Sequence, residues 1–78
     1  MTEYTPIDCA LYSQYELAIL HHRRVRVSWR DARGEVHIAM LVPRDLQTRA
    51  GAEFMIADDQ DGQRLELRLD QIQHAEVL

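Results

Sequence analysis

At 78 residues the chain is long enough for one domain, residues 1–78, and no more, since a fold of this size buries only a little over ~60% of the surface its unfolded form exposes. Thirteen acidic residues against nine basic ones, all arginine, set a formal net charge of −4. That balance argues against a generic phosphate-backbone binder, which depends on a basic surface, and it suits a basic partner. Cys9 is the single cysteine, so no intrachain disulfide can form and a reducing compartment is expected. The opening MTEYTPID has neither the basic region nor the apolar run of a secretory signal, and no apolar stretch reaches membrane-spanning length. The expectation is a cytoplasmic protein with no membrane partner.

In chain order the first element is a helix over about residues 8–22. Asp8 can cap its free N–H groups, and Pro6 stops it extending backward. Leu11, Tyr15, Ala18 and His22 recur at helical spacing as a mainly apolar stripe. Strands follow from about 24 to 77. Val25, Val27 and Trp29 alternate with Arg24, Arg26, Ser28 and Arg30, which predicts a half-buried strand. Asp31 to Gly34 supplies a turn, and Val36, Ile38 and Met40 restore the alternation on a second strand ending near Val42. Pro43 to Ala52 is expected to be a polar connection, followed by a short third strand over Glu53–Ala57. After the turn at Asp58–Gly62, Arg64 to Leu69 alternates again, and Ile72 to Val77 completes the set as an edge strand.

The fold class is therefore α+β and mainly β, with an N-terminal helix packed on a small antiparallel sheet. Such a sheet cannot leave its apolar face in water, so it should curl into a small barrel or pack under a helix, for which the leading helix is the natural lid. The expected core is Val25, Val27, Trp29, Val36, Ile38, Met40, Phe54, Ile56, Leu65, Leu67, Leu69 and Ile72.

No catalytic constellation emerges, so no enzyme activity and no cofactor is expected. Gly34, Gly51 and Gly62 lie in separate turns and cannot form a phosphate-cradling loop. Cys9 stands more than three helical turns from His21 and His22, too far for a nucleophile–base pair, and is expected to pack as a small apolar residue. Adjacent histidines on a helix point in different directions, and His37 and His74 complete no zinc spacing, so no metal site is expected. The pair suits the negative end of a helix dipole equally well. Asp58, Asp59 and Asp61 lack the glutamate that closes a calcium loop and suit a solvated turn. Arg24, Arg26 and Arg30 form one exposed basic stripe with Trp29 on the opposite, apolar face, which keeps an RNA-binding module open as an alternative.

The string Tyr4-x-Pro6-Ile7-x-Cys9-x-x-Tyr12-x-x-Tyr15-Glu16-Leu17-Ala18-x-x-His21-His22 resembles the opening of the Rof family, the Rho-binding antiterminators. Asp45-Leu46-x-Thr48-Arg49-x-x-x-Glu53-Phe54 and Gly62-x-x-x-Glu66-Leu67-Arg68-Leu69-Asp70-x-Ile72 resemble its loop and last strands, so the resemblance spans nearly the whole chain. It implies an Sm-like, strongly bent sheet under a leading helix. It also implies binding to the N-terminal RNA-binding region of the hexameric termination factor Rho, which would reduce Rho-dependent termination. Carried over position by position, the Rho-binding surface would comprise Asp8, Tyr12, Ser13 and Glu16 of the helix with Thr48 and Arg49 of the loop. Family members often carry acids where this chain has Ala10, Leu11 and Ser13, so a diverged relative with another protein partner is a further alternative. Direct nucleic-acid contact is not implied, and a monomer is expected.

Overall fold

The computed structural model describes residues 3–78. Helix α1 (Cys9–Leu20) leads into five strands: β1 (Val25–Arg30), β2 (Val36–Arg49), β3 (Ala52–Asp58), β4 (Arg64–Arg68) and β5 (Ile72–Val77). All neighbouring pairs are antiparallel, in the order β4-β3-β2-β1-β5.

That order forces curvature. In a flat five-stranded sheet the two edge strands would stand about 19 Å apart, four spacings of about 4.8 Å. Arg68 ends β4 and Ile72 begins β5, and only one 3-10 turn, Leu69–Gln71, joins them. Four residue steps reach at most about 14 Å even when fully extended. The edges must therefore curl toward each other, although the sheet is not closed. The buried cluster inside the curl comprises Tyr15, Ala18, Val25, Val27, Leu41, Met55, Ala57, Leu67 and Leu69, with Ile7, Leu11, Tyr12 and Leu46 packed against it.

Strand β2 makes the bend possible by serving both halves of the sheet. Val36 to Leu41 pairs with β1, and Val42 to Arg49 pairs with β3. Pairing skips Arg44 between Pro43 and Asp45, a one-residue bulge. An extra residue reverses the inward–outward alternation. Before the bulge the odd positions Leu41 and Pro43 are buried, whereas after it Leu46 points inward opposite Met55.

Two sequence expectations are corrected here. Residues 43–52 are not a connection: β2 continues to Arg49, and a two-residue turn, Ala50-Gly51, leads into β3. Across the bulge Leu46 is the lone apolar residue between Pro43 and the turn, so no alternation shows in the sequence. Second, Val36 and Ile38 are not core. They are 50% and 71% exposed, while Leu41 is fully buried, because β1 pairs Val25 with Leu41 and Val27 with Ala39 on the inner face. Met40, Trp29, Phe54, Leu65 and Ile72 are only partly buried, and Met55 and Ala57 fill the space instead.

The helix is also shorter than the expected 8–22. Asp8 caps it, its carboxylate accepting the Ala10 N–H at 2.8 Å. At the other end His21 is the C-cap and His22 takes a left-handed φ of 53°. The His22 N–H donates to Ile19 O at 3.2 Å and the Arg23 N–H to Ala18 O at 2.8 Å, a Schellman closure with histidine at the position glycine usually fills. Cys9 is exposed, contrary to its expected packing, because position 9 lies off the stripe through Leu11, Tyr15 and Ala18. Among the described residues no helix is long and apolar enough to cross a membrane.

Candidate protein-binding ledge

The residues before the helix lie across the far half of the sheet. The Tyr4 hydroxyl donates to Glu53 at 2.9 Å, and the Thr5 N–H donates to Asp70 at 2.9 Å. Asp70 in turn grips Arg68 through two contacts of 2.8 and 2.9 Å, and the Arg68 guanidinium sits 5.4 Å from the centre of the Tyr4 ring. This pair is mostly buried, so its ion pairing and the one hydrogen bond from Arg68 Nη2 to Asp70 Oδ2 are protected from water more than those of a surface ion pair. It fixes where the chain enters α1 and thereby how the helix sits on the sheet.

On α1, Asp8, Tyr12 and Glu16 follow one another at i, i+4 spacing along one side. Tyr12 is partly buried and packs against the core, whereas Asp8, Ser13 and Glu16 are exposed. Burial pushes the Tyr12 hydroxyl above its ordinary pKa, with further upward contributions from the charges of Glu53, Glu16 and Asp45. The charges of three carboxylates, from α1, β2 and β3, thus act on one phenol. Tyr4 is raised for related reasons, burial first and its hydrogen bond to Glu53 next. No basic residue lies between Cys9 and Leu20, so this side of the domain presents an acidic ledge with a phenol at its centre.

The six residues singled out from the sequence are not all brought together. Thr48 pairs with Glu53 and shares its face, since Met55 and Ala57, two and four residues further along β3, point into the core. Arg49, one residue on, projects from the other face. There its guanidinium lies 4.6 Å from the centre of the Phe54 ring and pairs with Glu66 of β4. Arg49 therefore braces β2 against β4 on the side away from the ledge. Sequence reasoning missed Asp45 and Glu53, although both stand inside the second matched segment. The signal that could have found them is their charge, but their nearness to Tyr12 depends on the bulge and on the bend.

Two other residues acquire definite roles. Leu11 packs against the core, which accounts for an apolar residue at that position. Tyr15 is buried to 1% exposure, and its hydroxyl has no hydrogen-bond partner among the described residues; burial raises its pKa. Tyr15 is the anchor of the helix and is not available to a partner.

No family model matches the sequence, and no curated protein matches it. Among solved structures the chain is similar to proteasome accessory factor B/C (PafBC) of Arthrobacter aurescens, with a TM-score of 0.79 over 97% of this chain at 18% identity. This chain spans 12% of that one. A likeness at that identity shows a shared fold and nothing about activity.

Proposed function

We propose that the chain is a protein-binding module of the Rof type, which occupies the primary RNA-binding region of the transcription-termination factor Rho and so reduces Rho-dependent termination. The observation that carries the reading is a coincidence. The helix positions to which the Rof resemblance assigns partner contact, Asp8, Tyr12 and Glu16, lie on the ledge where Glu53 and Asp45 add their charge. A surface built to attract phosphate is basic, and an acidic ledge complements it, which favours fast encounter and orients docking. The mode of action is occupancy, without bond-making and without a cofactor, in the cytoplasm where transcripts are made. The strand order and the short β4–β5 connection support an Sm-like description of the bent sheet.

In this reading Tyr12, Glu16, Asp8 and Ser13 contact Rho and Thr48 borders them, while Arg49 acts by holding the β2–β3 hairpin in place. Purified chain should bind purified Rho and be displaced by a C-rich RNA. Glu16→Lys should abolish binding with the far-UV circular dichroism unchanged, because Glu16 is exposed. Absence of binding at micromolar protein and low salt overturns the proposal. A gel shift with RNA alone tests the alternative carried by Arg24, Arg26 and Arg30. Of these, Arg26 already faces Glu76 at 3.9 Å, and Arg30 donates to Gly34 O at 2.8 Å, which weakens that stripe as a phosphate grip.

A further inference from the structure

We propose that Asp31, Glu35 and His37 form a binding site for a divalent cation of the zinc class on the β1–β2 hairpin. One ligand atom from each lies within 4.8 Å of the other two. The hairpin makes this grouping. Glu35 and His37 are two residues apart and point to one side, and Asp31 stands across the turn, its N–H donating to Glu35 O at 2.9 Å.

Two of the three groups are oriented by contacts outside the cation position. One oxygen of Asp31 accepts the Arg33 and Glu35 backbone N–H groups, each at 2.9 Å, which leaves the second oxygen facing His37 Nε2 at 2.6 Å. The His37 ring is stacked on Trp29, with centroids 5.4 Å apart and planes 21° from parallel. That stack belongs to the sheet, since Trp29 and His37 are paired across β1 and β2, and it fixes the imidazole plane independently of the carboxylates. Outer contacts of this kind are what hold metal ligands in register.

The donor set selects the ion. One imidazole and two carboxylates suit zinc and its neighbours, whereas calcium and magnesium favour all-oxygen shells. Bonds of about 2.0–2.2 Å in a tetrahedron set donors a little over 3 Å apart, with water as the fourth ligand. The Asp31–His37 pair would open by less than about 1 Å to reach that spacing. Glu35 would leave Arg33, a partner 3.7 Å away with both side chains well exposed and hence weakly held. A domain this short with one cysteine gains stability from any ion bound only by its folded form.

The test is isothermal titration of the untagged, chelator-treated full chain with zinc chloride, alongside emission from Trp29, the only tryptophan. The expected result is one saturable site, a change in Trp29 emission on filling, and a higher unfolding midpoint. His37→Gln and Glu35→Gln should each weaken binding at least ~10-fold, while a His21→Gln/His22→Gln double variant leaves it unchanged. Both single changes are at exposed positions, and circular dichroism confirms that each variant is folded. Lack of saturable binding, affinity that survives His37→Gln, or equal affinity for magnesium chloride overturns the proposal.

Discussion

The two halves of β2 turn side chains toward the core in opposite phases. Before the bulge Leu41 and Pro43 are buried and Val36 and Ile38 face water; after it Leu46 packs inward and Gln47 and Arg49 face outward. Arg44 separates them. The contrast teaches that hydrophobicity alone did not choose the inner face of the first half. Val36, Ile38 and Met40 are an apolar alternating set, yet the register with β1 turned them outward because Leu41 and Ala39 sit opposite Val25 and Val27.

The largest expected effect comes from deleting Arg44. Without the bulge one half of β2 must turn its inner residues to solvent, either Leu41 with Pro43 or Leu46, and the chain should lose its cooperative unfolding transition. Leu41→Ala should destabilise by roughly 2–5 kcal/mol through the lost burial and the cavity left behind, close to the whole margin of so small a domain. Ile38→Thr, three residues away, should change stability by less than about 0.5 kcal/mol because Ile38 is largely in water. Urea denaturation measures all three, and a severe loss in Ile38→Thr would show that the inner face has been misassigned.

Smaller effects of opposite sign are expected where non-glycine residues take left-handed backbone. His22 closes α1 at φ 53°, and Ala50 opens the β2–β3 turn at φ 51°. Glycine carries no Cβ penalty there, so His22→Gly and Ala50→Gly should each raise stability by about 1 kcal/mol, with different sites of action: the first tightens the helix end, the second the hairpin.

The smallest effect is a pH dependence beside the bulge. Hydrogen bonds from Arg64 and then Arg44 hold the Asp58 carboxyl below its ordinary range. A carboxyl whose folded pKa is lowered contributes stability that is fully present above its unfolded pKa and is lost as the pH falls through the folded value. Acid should therefore lower the unfolding midpoint through that range, and Asp58→Asn should flatten the dependence there. The same residue ties the bulged Arg44 to β4, so the substitution also reports how firmly the bulge is held.

Everything that rests on local periodicity and local chemistry was legible along the chain. The helix around Leu11, Tyr15 and Ala18, its Asp8 cap, β1, the hairpin at Asp31–Gly34 and the strands β4 and β5 all follow from neighbours in the chain. So does the choice of Asp8, Tyr12, Ser13 and Glu16 as exposed or half-exposed helix positions. Tertiary structure decided the inner face of β2, its extension to Arg49, the separation of Thr48 from Arg49, and the action of the Glu53 and Asp45 charges on Tyr12. The physical reason is common to all four. Each depends on register between strands distant in sequence and on one extra residue at Arg44, and register is set by which pairing buries the most apolar surface across the whole sheet, a quantity that no local window contains.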